Sequence, residues 1–161
     1  MEAVLSRLET GTNAPDFSLP RVLGEDPVTL SEHRGEPVVL MFVPLAFSGV
    51  CTKEFCHVAE NWDVWGSMGA KVYGISIDSP FVNAKWAEDM GVPFPILSDF
   101  NKTAATAYGV LREEIAGLRG VANRSVFVVD AEGHVRYSWV SEDPHVLPPF
   151  DEVVDAVRAL R

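Results

Sequence analysis

Two cysteines, Cys51 and Cys56, lie within one short stretch of the chain and are the residues best suited to nucleophilic chemistry. A thiolate is the reactive form of cysteine, and nearby positive charge favours it. An apolar run ends at Pro44, the turn residues Ser48 and Gly49 follow, and apolar residues then recur at helical spacing. Cys51 is therefore predicted to lie where a buried strand turns into a helix, and the positive end of the helix dipole favours a thiolate there.

The rest of the chain alternates predicted strands and helices. Strands are predicted at 38–43, 70–77 and 94–97, a hairpin at 13–19 with 28–30, a second hairpin at 125–129 with 134–140, and helices at 51–68, from 78–80 onward, at 102–108 and at 150–160. Residues 110–121 are predicted to be irregular. This order implies an α/β fold with a mixed central sheet, helices on both faces and an N-terminal hairpin, and it resembles the thioredoxin fold.

Length and charge restrict the classes of function. The 161 residues fit a single domain, 1–161, and a net charge of -10 with a pI near 4.7 argues against nucleic acid and anionic membranes as partners. The longest apolar stretch, 37–47, is far short of the ~20 residues that span a bilayer, and the first residues do not resemble a secretory signal. We expect a cytoplasmic protein in which any disulfide between the two cysteines is transient and functional.

The segment 44–51 carries a known signature. It reads Pro-Leu-Ala-Phe-Ser-Gly-Val-Cys, which matches the Pro-x-x-x-Ser/Thr-x-x-Cys motif of the peroxiredoxins. Further peroxiredoxin-like segments are 14–17, 94–99 and 124–130, so the resemblance covers nearly the whole chain. The signature and Ala-Asn-Arg at 122–124 are most similar to the alkyl hydroperoxide reductase E group. The spacing of the two cysteines instead resembles the peroxiredoxin Q (bacterioferritin comigratory protein) group.

The resemblance implies a thiol-dependent peroxidase. Its nucleophile would be Cys51, which attacks hydrogen peroxide or an organic hydroperoxide and becomes a sulfenic acid. The alternative for Cys51 is a buried structural cysteine, because free cysteines are among the most buried residues. The resemblance further implies that no metal, haem or flavin takes part and that a thioredoxin-like protein or a low-molecular-weight thiol restores the enzyme. A homodimer is one of the assemblies found in the family.

The resemblance also assigns an activating cation. Arg124 directly precedes the motif Ser-Val-Phe-Val-Val-Asp, and a guanidinium can donate to both a thiolate and a peroxide oxygen. Arg119 is the competing candidate. Glu54 matches a glutamate that orients this arginine, and its alternative role is that of a first-turn carboxylate favoured by the helix dipole.

Two other residues and two backbone N–H groups complete the implied peroxide site. Ser48 would hydrogen-bond the peroxide, and its alternative role is that of a turn former. Pro44 would shield the thiolate from water, and it also ends the strand, because proline cannot donate to a sheet ladder. The backbone N–H groups near Val50 and Cys51 would bind peroxide oxygens as charge moves between them.

Cys56 is the candidate resolving thiol. On a regular helix, residues five apart have Cα atoms about 8.6 Å apart, whereas a disulfide tolerates only about 4.4 to 6.8 Å. A Cys51–Cys56 disulfide therefore requires the helix to unwind locally. The alternative is a surface cysteine that never meets Cys51.

Three other functions remain open at the level of the sequence. A protein disulfide oxidoreductase would be expected to carry Cys-x-x-Cys, which the chain lacks. A metal-binding module could use Cys51, Cys56 and His57, although a closed zinc site needs four ligands. A non-catalytic scaffold with a thioredoxin fold would not lose thiol on exposure to peroxide.

Overall fold

A computed structural model describes residues 8–160 of the chain. The strands are β1 (Ser18–Leu19), β2 (Val28–Thr29), β3 (Val38–Phe42), β4 (Lys71–Ser76), β5 (Ile96–Ser98), β6 (Leu111–Ile115), β7 (Leu118–Ala122), β8 (Ser125–Val129) and β9 (Val135–Val140). The helices are α1 (Gly49–Glu60), α2 (Trp62–Trp65), α3 (Pro80–Met90), α4 (Thr103–Ala107) and α5 (Phe150–Arg158), and a 3-10 helix spans Leu30–His33.

A five-stranded sheet in the order β5-β4-β3-β8-β9 forms the centre of the fold. Strand β3 runs parallel to β4, and β4 runs parallel to β5, whereas β8 is antiparallel to both β3 and β9. All five residues of β3 are buried, as expected of a strand whose sheet is covered on both faces. The sheet is mixed, as the sequence predicts.

Alternate residues of β3 belong to two separate apolar clusters, because successive side chains of a strand point to opposite faces. Val39 and Met41 pack with side chains of α1, α2, α3 and α5. Leu40 and Phe42 pack with side chains of α4, the 3-10 helix and β1. The predicted thioredoxin-like arrangement, with helices on both faces of the sheet, is confirmed.

The single helix predicted over 51–68 is wrong in its bounds. Helix α1 begins two residues earlier, at Gly49, and ends at Glu60, after which α2 forms a separate turn. Asn61 lies between the two helices with φ -107° and ψ 27°, and its side-chain Nδ2 donates to the carbonyl of His57 at 2.8 Å. A side-chain amide that bonds the backbone locally competes with the helical hydrogen bonds, which accounts for the break.

The irregular structure predicted over 110–121 is also wrong, because β6 and β7 form an antiparallel hairpin there. Its turn residues, Ala116 with φ 52° and Gly117 with φ 83°, both have the left-handed backbone of a type I′ turn. Much of the hairpin is exposed, so its sequence lacks the apolar alternation that marks a half-buried strand.

Both predicted hairpins at the ends of the fold are present, as β1 with β2 and β8 with β9. The other predicted elements differ from the observed bounds by only one or two residues at each end, apart from the start of β1, which was predicted at residue 13 and lies at Ser18. Among residues 8–160, no helix combines the length and apolar character needed to cross a membrane.

Candidate active site

Cys51 is the third residue of α1 and is fully buried. Ser48, the residue before the helix, has an extended backbone, and its carbonyl accepts the first helical hydrogen bond from the Thr52 N–H at 2.9 Å. The N–H groups of Val50 and Cys51 precede that bond, so they lie in the first turn, where backbone donors have no partner within the helix. The Cys51 side chain therefore lies at the N-terminal end of α1, where the helix dipole is positive.

Close packing of α1 on the sheet fixes this position. The Phe55 ring lies directly over Gly74 of β4, where an added Cβ would come within 2.6 Å of Phe55 Cζ. Only glycine allows the helix to approach so closely. The Phe55 ring also packs edge-on against Phe94, with ring centroids 5.2 Å apart.

Arg124 lies against the Cys51 sulfur. Its Nη1 and Nη2 are each 3.5 Å from Sγ, and only 2% of the residue is exposed. Nη1 also donates to Glu54 Oε1 at 3.0 Å, while Nε and Nη2 donate to the carbonyl of Pro144 at 3.2 and 2.8 Å. Because the Glu54 carboxylate and the Pro144 carbonyl hold the planar guanidinium, its charge is fixed at the sulfur.

Glu54 is buried one turn after Cys51, with its second carboxylate oxygen, Oε2, without a hydrogen-bond partner. Burial raises the pKa of Glu54 from 4.5 to about 7, because removal from water disfavours the charged form, although the Arg124 charge opposes this shift. The predicted contact between this glutamate and Arg124 is present. Arg119, the competing candidate, is exposed in β7 and lies opposite Glu114.

Pro44 and Ser48 lie in the turn between β3 and α1. Pro44 is buried two residues after the end of β3, and the Val43 N–H between them still donates to the carbonyl of Ile75 at 3.0 Å. The Ser48 hydroxyl donates to the carbonyl of Leu45 at 3.0 Å, and its oxygen retains capacity to accept a hydrogen bond. The structure therefore brings both residues next to the helix start that carries Cys51.

Cys56 lies on the same helix in a different environment. It is half-buried, and both cysteines are free thiols. Since α1 is continuous across both positions, the geometry of a regular helix keeps the two sulfurs from bonding in this conformation. The neighbouring His57 ring stacks on Phe150 of α5, with centroids 3.9 Å apart and planes 22° apart.

A metal centre has no support in the part of the chain that the structure describes. No group of three or more histidine, cysteine, aspartate or glutamate side chains in residues 8–160 is arranged to hold an ion. His57 stacks on Phe150 rather than lying with Cys51 and Cys56 around a common point.

The sequence analysis does not predict two of the contacts at the site. The Pro144 carbonyl that binds Arg124 is a backbone group in a turn 20 residues further along the chain, and no side-chain pattern marks it. Asp78 accepts a hydrogen bond from the Ala46 N–H at 2.7 Å. The sequence analysis places Asp78 only in a helix start, although its position directly after the strand predicted at 70–77 is a usable signal.

Comparison with known proteins gives the family. A model of the AhpC/TSA family matches residues 10–138. The chain belongs to the AhpC/TSA family of peroxiredoxins. This peroxiredoxin is 36% identical over 142 residues to alkyl hydroperoxide reductase E of Mycobacterium tuberculosis, a match that covers 86% of this chain and 90% of that protein. A peroxiredoxin of Thermoplasma volcanium is 33% identical over 158 residues, which are 94% of this chain and 74% of that protein.

Solved structures agree with this assignment. The peroxiredoxin resembles peroxidoxin BcpB from Mycobacterium tuberculosis with a TM-score of 0.81 and 34% identity, over 96% of this chain and 99% of that one. A peroxiredoxin-like protein from Aquifex aeolicus gives a TM-score of 0.86 at 29% identity, over 97% of this chain and 90% of that one. The predicted family and enzyme class are confirmed: the protein is a thiol-dependent peroxidase with a hydroperoxide as substrate and a thiol as reductant.

Proposed function

We propose that Cys51 is the peroxidatic nucleophile of this peroxiredoxin and that it reduces hydrogen peroxide and organic hydroperoxides. The observation that carries the proposal is the buried Arg124 guanidinium, with two nitrogens 3.5 Å from the Cys51 sulfur. A fixed cation at this distance stabilises a thiolate and can also donate to a peroxide oxygen bound beside it.

The reaction is a displacement at oxygen. The Cys51 thiolate attacks one peroxide oxygen, the O–O bond breaks, and the other oxygen leaves as water or an alcohol after taking a proton. The sulfur is oxidised to a sulfenic acid, and the peroxide is reduced. Charge moves from sulfur to the leaving oxygen during this step, so donors that span both atoms stabilise the transition state.

Ionisation of the Cys51 thiol alone is too small an effect to account for an enzymatic rate acceleration. A thiol with an ordinary pKa near 8.5 is about 3% ionised at pH 7, so complete ionisation gains roughly 30-fold, or about 2 kcal/mol. Enzymes usually lower barriers by at least ~8 kcal/mol. Most of the acceleration must therefore come from donors that hold the peroxide, and we assign these to Arg124, Ser48 and the N–H groups of Val50 and Cys51.

Glu54 and Pro44 act on this arrangement in different ways. Glu54 orients Arg124 through the 3.0 Å contact between Oε1 and Nη1. Pro44, buried in the turn before α1, keeps water away from the thiolate. A drier site strengthens each electrostatic contact to the reacting atoms.

Cys56 would resolve the sulfenic acid. Its thiolate attacks the Cys51 sulfur, hydroxide leaves and is released as water, and a disulfide forms between the two. Since both cysteines lie in α1, the helix opens between them first. A thioredoxin-like protein or a low-molecular-weight thiol then reduces the disulfide, in a compartment that we expect to be the cytoplasm. A homodimer is compatible with this cycle, which takes place within one chain.

Consumption of peroxide by wild type and by Cys51→Ser, with dithiothreitol as reductant, tests the proposal. We expect turnover in wild type and its loss in the variant, because serine is not a nucleophile of comparable strength at this position. Retained turnover in Cys51→Ser would overturn the assignment. Reduction of insulin disulfides without peroxide consumption would favour a disulfide oxidoreductase, and absence of thiol loss in wild type would favour a non-catalytic scaffold.

A further inference from the structure

Asp78 connects the end of β4 to the turn that precedes Cys51. Its Oδ2 accepts hydrogen bonds from the Ala46 N–H at 2.7 Å and from the Ser76 hydroxyl at 3.0 Å. Ala46 lies two residues after Pro44 and two residues before Ser48. A carboxylate 32 residues away in the chain therefore holds the middle of the turn that carries both side chains.

Other contacts fix the position of the carboxylate. The Asp78 N–H donates to the Ser76 hydroxyl at 3.0 Å. Its carbonyl accepts from the Ser98 hydroxyl at 2.6 Å and from Asn83 Nδ2 at 3.3 Å, so β5 and α3 both hold the Asp78 backbone. These contacts keep Asp78 in place. Its hydrogen bond with the Ala46 N–H therefore fixes the turn between β3 and α1 to the central sheet.

The turn needs such an anchor. Phe47, directly after Ala46, has a φ of 66°, a left-handed backbone that is unfavourable for a residue with a Cβ. Its side chain is 51% exposed and meets the rest of the fold at Trp86, with ring centroids 6.2 Å apart. An unfavourable backbone persists only where its surroundings hold it, and the Ala46 hydrogen bond is a directional contact next to this residue.

We propose that Asp78 is a positioning residue for the peroxide-binding turn. Through the Ala46 N–H it holds Pro44 and Ser48 in place relative to Cys51. The inference rests on the proposed role of Cys51. The contacts that fix Arg124 come from Glu54 and Pro144, which lie outside the Asp78 network, so Asp78 affects peroxide placement and leaves thiolate formation unchanged.

Asp78→Ala tests whether Asp78 affects peroxide placement without affecting thiolate formation. The variant should react with hydrogen peroxide about 10- to 100-fold more slowly than wild type at a pH where Cys51 is fully ionised, because small misplacements of reacting groups cost rates of this order. The pH midpoint of thiolate formation, followed by absorbance at 240 nm, should not move. Asp78→Asn retains a carbonyl oxygen for the Ala46 N–H and should recover most of the rate.

Asp99→Ala is the matched control. Asp99 lies at the end of the neighbouring strand β5, and its carboxylate also accepts from backbone N–H groups, those of Ala104 at 3.0 Å and Ala105 at 2.7 Å, but these belong to α4. This variant should lose thermal stability and keep the wild-type peroxide rate. If Asp78→Ala does not fold, Asp78→Ser gives the same comparison, because its side chain is too short to reach Ala46.

Three results would overturn the inference: a wild-type rate in Asp78→Ala, an equal loss of rate in Asp99→Ala at equal thermal stability, or a shifted midpoint of thiolate formation that accounts for the slower rate. The inference itself assumes that Cys51 is the nucleophile. Failure of that assignment appears separately, as turnover retained by Cys51→Ser, and without a reactive Cys51 the positioning role falls with it.

Discussion

The two ends of helix α1 hold the same residue type in opposite environments. Cys51, in the first turn, is fully buried against the fixed charge of Arg124. Cys56, five residues later, is half-buried near the end of the helix, where a ring stack between His57 and Phe150 joins α1 to α5. Burial with a fixed cation suits a nucleophile, and partial exposure near a helix end suits a thiol that must move. Surroundings rather than residue type thus separate the two proposed roles.

The largest effect on the peroxide reaction should come from removing the Arg124 charge at the N-terminal end of α1. Arg124→Ala should slow the reaction with peroxide by about 10²–10³-fold even at a pH where Cys51 is ionised, because it removes donors to the transition state as well as to the thiolate. Stopped-flow kinetics across pH measures both effects. Arg119→Ala, an exposed arginine of β7, should react like wild type. If Arg124→Ala matched wild type once fully ionised, only the role in thiolate formation would remain.

Glu54→Gln should change how stability depends on pH. Burial raises the pKa of Glu54 from 4.5 to about 7, so the folded state binds this proton more tightly than the unfolded chain does. The resulting stabilisation is complete below pH 4.5 and is lost as the pH rises through 7, a change of about 3 kcal/mol at most. Glutamine cannot ionise, so the difference in free energy of unfolding between variant and wild type should shift in favour of the variant from pH 5 to pH 8.

Urea unfolding at both pH values measures this difference, and other titrating groups cancel when the two proteins are compared. Glu60→Gln, an exposed glutamate of the same helix, is the control and should leave the pH dependence as in wild type. A constant difference in free energy of unfolding between Glu54→Gln and wild type from pH 5 to pH 8 would contradict the raised pKa of Glu54.

A smaller effect is expected at the other end of α1. His57→Ala removes the stack on Phe150 and should speed formation of the Cys51–Cys56 disulfide about 2- to 10-fold, because an aromatic pair contributes about 0.5–1.5 kcal/mol against opening of the helix. Oxidation of Cys51 itself should keep its wild-type rate. Quenched-flow mass spectrometry separates the two steps. His57→Phe, which keeps a ring on Phe150, should restore the slower rate, and an unchanged rate in His57→Ala would show that the stack does not limit opening.

The sequence predicted best those features of the fold that depend on residues close together in the chain. The buried strand, its end at Pro44 and the helix that follows were predicted because apolar runs and proline act through the nearest neighbours in the chain. The break at Asn61 was missed because it depends on one side-chain bond to the carbonyl of His57. A helical apolar pattern continues across it and gives no sign of the break.

Contacts between distant segments were the least predictable part of the site. The signature identified Cys51, Ser48 and Pro44, and its family identified Arg124. The Pro144 carbonyl that holds Arg124 is a backbone group, which every residue has, so its position follows only from the folded chain. The hydrogen bond between Ala46 and Asp78 was not predicted for the same reason, because its donor is a backbone N–H in the turn between β3 and α1.

Peptide mapping by mass spectrometry after one equivalent of hydrogen peroxide tests the central claim, that Cys51 reacts and Cys56 resolves. Wild type should yield an intrachain disulfide between Cys51 and Cys56, which a reductant reverses. Cys56→Ser should yield a sulfenic acid on Cys51. A persistent sulfenic acid in wild type, or a disulfide between chains, would remove Cys56 from the cycle. Oxidation of Cys56 while Cys51 stays a free thiol would contradict the account.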